Sequence, residues 1–132
     1  MPRKKKREKV VKEKLDFKKL LIILAIVFGI ILIFTFIDYL VHSLSEDYAV
    51  PNYYFRNKII FGTGIGFITY LLFQKKKPFV KALIFSGVIA VLLQIRYFLE
   101  GFSLKFVVEF LVFHFLILLV VSWVVFWVFK RV

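Results

Sequence analysis

Four apolar stretches alternate with polar, basic segments along the chain, and this alternation predicts four membrane-crossing helices. Leu20 to Ile37 is an unbroken run of 18 uncharged residues in which only Gly29 and Thr35 depart from alanine or a large apolar type. A bilayer core of about 30 Å needs roughly 20 apolar residues at 1.5 Å each, so the first span is placed at 20–40. The second, 57–73, is weaker. Ile59 to Phe73 is only 15 residues long and follows Tyr53, Tyr54, Phe55, Arg56, Asn57 and Lys58. It crosses if Lys58 snorkels outward and the tyrosines lie at the headgroup level. The third span is 79–99 and the fourth 106–129.

Lipid cannot satisfy open backbone groups, so each span is expected to be helical. Pro51-Asn52 breaks the first connection, Pro78 opens the third span, and Gly101 lies in a short turn between the third and fourth. The predicted fold is an all-α integral membrane protein, an antiparallel four-helix transmembrane bundle, with a basic tail at 1–19 and the transmembrane domain at 20–132. The apolar run after the basic start exceeds the 7–15-residue core of a typical signal peptide and no small-residue cleavage site follows, so it reads as a retained anchor.

Charge adds direction. Sixteen of the twenty Lys/Arg fall in the tail, in the Gln74–Lys81 connection or at Lys130 and Arg131. Arg56, Lys58, Arg96 and Lys105 are the remainder. The positive-inside rule then predicts both termini and the 74–81 loop in the cytoplasm, N-in/C-in, in a plasma membrane of prokaryotic type. Arg3, Lys4, Lys5, Lys6 and Arg7, with Lys75, Lys76 and Lys77, form surfaces suited to anionic lipid on that face. The tail resembles a nuclear localisation signal and an RNA-binding arm, but a topology determinant explains it more simply, and nucleic acid is an unlikely partner.

Composition narrows the chemistry. Hydrophobic residues make up 61% and there is no cysteine, which removes disulfides, thiolate metal sites and cysteine nucleophiles. The serines Ser43, Ser45, Ser86, Ser103 and Ser122 sit in no nucleophile-elbow motif. Gly62-Thr63-Gly64-Ile65-Gly66 matches neither a dinucleotide fingerprint nor a Walker loop. Gly62 and Gly66 instead make a small-residue face for close helix packing, within the bundle or between copies.

Helical rise places the intramembrane polar groups at one depth. Asp38 lies about 28 Å above Lys19, Arg96 about 22 Å above Lys81, and His114 about 24 Å above Lys130, with Lys58 and Glu109 at similar levels. Asp38 and His42 share a face at i, i+4, with Thr35 preceding them. Gln94 and Tyr97 share another, and Arg96 and Glu100 can pair. The plain expectation is that such pairs, Asp38 with Arg96 among them, tie the helices together. The functional one is an outward-facing pocket built from Asp38, His42, Lys58, Gln94, Arg96, Tyr97, Glu100, Glu109 and His114, since intramembrane ionisable residues are functional candidates by default. Asp38, His42 and His114 also make the two-His-one-carboxylate donor set of a divalent metal, although His42 sits where the first span runs into its loop. The favoured function is a non-enzymatic transport or channel unit, or an accessory subunit of a larger complex or homo-oligomer. The competing one is a metal-dependent membrane enzyme using Asp38, His42 and His114.

Overall fold

The computed structural model describes residues 17–131. The basic cluster Arg3–Arg7 lies outside them. Four helices account for most of the described chain: α1 (Phe17–His42), α2 (Tyr53–Phe73), α3 (Pro78–Leu99) and α4 (Leu104–Val128), with a 3-10 turn at Glu46–Tyr48 between α1 and α2. α1 begins inside the basic tail at Phe17 and keeps His42 in its last turn, so this histidine is helical and not part of the loop.

The ends are set by local chemistry. Lys77 is extended and Pro78 occupies the first turn of α3, where its missing N–H costs nothing. α3 stops before Gly101, which has φ +89°. Gly101 N donates to Phe98 O at 3.2 Å and Phe102 N to Tyr97 O at 3.2 Å. This pair of bonds is a Schellman motif, and it requires the left-handed conformation that glycine adopts freely. The Phe102 ring packs on Tyr97 at 5.3 Å, which supplies the accompanying apolar contact. Ser103 then caps α4, its Oγ accepting from Phe106 N at 3.2 Å. The chain therefore reverses within residues 100–103.

Consecutive helices run in opposite directions. Asp38 late in α1, Lys58 early in α2, Gln94 late in α3 and His114 in α4 meet at one end. Ile23, Tyr70, Ala82 and Phe126 belong to the core cluster toward the other, the end where the exposed Lys75, Lys76 and Lys77 follow α2. α4 buries one residue in every four: Phe106, Phe110, His114, Leu118, Ser122 and Phe126. α2 repeats the pattern with Tyr54, Lys58, Gly62, Gly66 and Tyr70. Such i, i+4 rows are the ridges by which helices interlock.

The glycines make this approach close. A Cβ on Gly66 would meet Phe85 at 2.8 Å and Val27 at 2.9 Å, and one on Gly62 would meet Ile31 at 3.3 Å. Of the two uses open to this small-residue face, the glycines serve packing within the chain, against α1 and α3.

Three of the helices, α1, α3 and α4, are long and apolar enough to cross a membrane. α2 is long enough but carries Arg56, Asn57 and Lys58 in its opening turns and three glycines further on. The outer surface is rich in apolar side chains: Phe28, Phe36, Ile60, Ile68, Leu72, Val112, Leu116 and Val120 are all exposed, whereas Asp38, Lys58, Ser86, Ser122 and His114 are buried. Helices apolar all round suit a lipid surrounding rather than water.

Candidate functional site

The site is assembled at the end opposite Lys75–Lys77, with every helix contributing. α1 supplies Thr35, Asp38 and His42, α2 supplies Lys58, α3 supplies Gln94 and Tyr97, and α4 supplies His114. All are buried, and Asp38 and His114 have no exposed surface.

Asp38 is the hub. Its Oδ2 accepts a short hydrogen bond from Lys58 Nζ, and its Oδ1 accepts from His114 Nε2 at 2.8 Å. Lys58 Nζ also lies 3.3 Å from His42 Nε2, which is itself 3.4 Å from Asp38 Oδ2. Behind the imidazoles, His42 Nδ1 is 2.5 Å from the Tyr48 carbonyl oxygen, and His114 Nδ1 is 2.6 Å from Gln94 Nε2.

Donor and acceptor chemistry orients this network. A carbonyl oxygen only accepts, so His42 donates from Nδ1 and turns the Nε2 lone pair to the Lys58 ammonium. A carboxylate likewise only accepts, so His114 donates from Nε2, and its Nδ1 receives the Gln94 amide. The carboxylate and ammonium cancel in charge, and each imidazole is bonded at both nitrogens. A buried pair retained in this way is costly to desolvate and gives little net stability. Its presence inside an apolar protein therefore calls for another reason.

Aromatic rings enclose the cluster. His42 stacks on Phe110 at 4.2 Å and 6° and meets the edge of Phe55 at 5.5 Å. His114 meets Phe34 edge-on at 5.4 Å and lies 5.9 Å from Tyr97. The Lys58 ammonium lies over the Phe55 and Tyr97 rings at 5.2 and 5.4 Å, within cation–π range. Three buried oxygens in this layer have no hydrogen-bond partner among the described residues: Thr35 Oγ1, Gln94 Oε1 and Tyr97 Oη. Orphaned polar atoms of this kind are uncommon in native interiors. A vestibule of about 310 Å³ leads to His42 from the 43–52 connection, bordered by Tyr39, Ser45, Glu46, Asn52 and Phe55.

Six of the nine residues expected at this depth meet here, and three do not. Arg96 bonds Glu100 at 3.1 Å on the half-exposed flank of α3. The expected Asp38–Arg96 pair is absent, and Lys58 takes that place. Arg96 lies about 200° around α3 from Gln94, so equal depth does not bring it to the same face. Glu109 is half-exposed, 3.9 Å from Lys105. Lys58 itself does not snorkel: it is 3% exposed and points inward. Its place in the i, i+4 row with Gly62 and Gly66 carries this information, because the row that packs tightly is the row that faces the interior. The Tyr48 carbonyl and the Phe55–Phe110 enclosure are features that spacing alone leaves invisible.

The remaining interior is nearly free of polar connection. Ser86 and Ser122 bond carbonyls of their own helices. At the basic end Lys81 Nζ lies 3.3 Å from Tyr70 Oη and over the Phe126 ring at 5.0 Å. Between the two ends stand Ile31, Phe34, Phe85, Ile89 and Leu118, all buried.

No family model matches the chain, and neither does any curated protein or solved structure.

Proposed function

We propose that this chain is a four-span, N-in/C-in protein of a prokaryotic plasma membrane. It acts as a non-enzymatic accessory or transport subunit whose Asp38–Lys58–His42–His114 cluster is its ligand or partner site. The observation that carries this reading is the convergence of polar side chains from all four helices into one closed network, in a protein otherwise largely apolar inside and out. Intramembrane ionisable residues are expensive and mark functional sites. The Lys58–Asp38 pair also supports a crossing by α2, since it matches inside the protein a charge that this helix would otherwise expose at depth.

The apolar layer of Ile31, Phe34, Phe85, Ile89 and Leu118 favours the accessory role over a self-contained channel. Purified protein in vesicles at one copy each, assayed for proton and monovalent-cation flux, tests this. The reading predicts no leak above empty vesicles. A flux abolished by Asp38→Asn would replace it with a channel.

A second reading has its own observation. One donor atom from each of Asp38, His42 and His114 falls within 4.8 Å of the others, and each imidazole has its second nitrogen held, by the Tyr48 carbonyl and by Gln94. Metal-binding histidines are oriented in this manner. Turning the Gln94 amide over would let its oxygen accept from His114 Nδ1–H and free His114 Nε2 for a metal. The Lys58 ammonium occupies the centre and must leave. This reading predicts that Lys58→Met retains stoichiometric zinc through gel filtration and that Lys58→Met/His114→Ala does not. A Lys58→Met protein that retains no zinc removes it.

A further inference from the structure

A groove of about 410 Å³ runs between α2 and α3, outside the polar cluster, with Asn57, Phe61 and Ile65 on one wall and Ile89, Leu92 and Arg96 on the other. Gly62 brings α2 close against Ile31 of α1, and the groove lies on the side of α2 that faces α3. The groove is polar at one end only, where Asn57 and Arg96 border its mouth. From Ile89 to Arg96 it spans seven residues of α3, about 10 Å of helical rise. Every other lining residue is apolar or glycine.

Arg96 retains donors to offer. Its Nε bonds Glu100 at 3.1 Å, and its guanidinium lies over the Tyr54 ring at 5.0 Å. Its terminal amino groups have no bond among the described residues. The guanidinium is therefore held against the ring with one edge free, which is the presentation suited to bidentate recognition of a phosphate. Glu100 neutralises part of the charge but occupies only the Nε edge.

On the four-span reading, on which this inference rests, the groove opens sideways into lipid with its cationic end at headgroup level. We propose that it seats one acyl chain of an anionic phospholipid, with the lipid phosphate bound by Arg96 and the Asn57 amide. The apolar length and the single basic end match a molecule with a long apolar tail and one charged head. A zwitterionic lipid offers the same phosphate, but the ammonium it carries opposes the guanidinium.

The test counts lipids that stay on the purified full-length chain by native mass spectrometry. Phosphatidylglycerol and phosphatidylcholine are offered in equal amounts at about 0.5 M salt, which screens exposed lysines. The wild type is expected to retain phosphatidylglycerol about tenfold over phosphatidylcholine, because the phosphate contact is common to both and only the choline ammonium opposes the guanidinium. Arg96→Gln should lose that preference while keeping its melting temperature, and Leu92→Trp, which fills the groove from its exposed edge, should lose both lipids. The Lys75→Gln/Lys76→Gln/Lys77→Gln variant should retain the preference. Equal retention of the two lipids by the wild type, or a preference untouched by Arg96→Gln, overturns the proposal. Resistance to alkaline extraction from membranes is measured on the same sample. A chain that resists extraction without lipid preference refutes the groove alone, and one that is extracted refutes the membrane reading beneath it.

Discussion

Replacing Asp38 by asparagine exchanges one carboxylate oxygen for an amide nitrogen and tests the whole cluster. The carbonyl of the substituted side chain can still accept from His114 Nε2, the bond that measures 2.8 Å in the native protein. What it cannot do is balance the charge of Lys58, whose side chain is 3% exposed. Removing one member of a buried pair costs about 3–5 kcal/mol, because the other charge is left without compensation. Lys58→Met gives the converse defect, with the carboxylate left to the single hydrogen bond from His114 Nε2. Each single variant is therefore expected to lose about 3 kcal/mol. The double variant, which buries no net charge, should lose no more than either single one, a coupling of about 3 kcal/mol. Equilibrium unfolding in mixed micelles, followed by circular dichroism across a denaturing-detergent series, measures all three. Asp38→Asn with Arg96→Gln provides the contrast: Arg96 pairs with Glu100 on the part-exposed flank, so the double variant should lose as much as Asp38→Asn alone. Additive losses for Asp38 and Lys58, or strong coupling of Asp38 to Arg96, would refute the network as described.

The glycines make an internally controlled pair. Gly66→Ala forces a methyl group to within 2.8–2.9 Å of Phe85 and Val27 and should destabilise by about 1–3 kcal/mol despite the better helix propensity of alanine. Gly64→Ala meets nothing within 4 Å and should be neutral or stabilising by up to about 1 kcal/mol in the same unfolding assay. At the turn after α3, Gly101→Ala has open space but a φ of +89°, so it should cost about 1 kcal/mol from the backbone alone. Ser103→Ala removes the cap on Phe106 N and should cost about 1 kcal/mol, which thermal melting in detergent would register.

The helices are legible in the sequence because apolar runs of that length admit few alternatives, and two of their ends because Pro78 and Gly101 each have a specific backbone use; the Ser103 cap that starts α4 at Leu104 is not marked by the apolar pattern. The depth of the polar residues is legible from helical rise. Azimuth is not, and it decides which groups at one depth actually touch. Arg96 stands two residues from Gln94 and faces away, and Glu109 is turned to Lys105. Lys58 defies the expectation that a lysine near a helix start reaches outward. Here the Gly62–Gly66 row draws its side of α2 against α1, and Asp38 stands at the matching level. Contributions from the backbone, such as the Tyr48 carbonyl that orients His42, leave no trace in residue identity.

Four spans require that α2, the least apolar helix, cross the membrane with Lys58 folded against Asp38. The chain has no cysteine, so single substitutions report cleanly. In intact cells, Asp47→Cys should react with a membrane-impermeant maleimide, while Lys76→Cys should react only after the cells are opened. Labelling of both Asp47→Cys and Lys76→Cys from outside intact cells would place both ends of α2 on one side and exclude a fourth span.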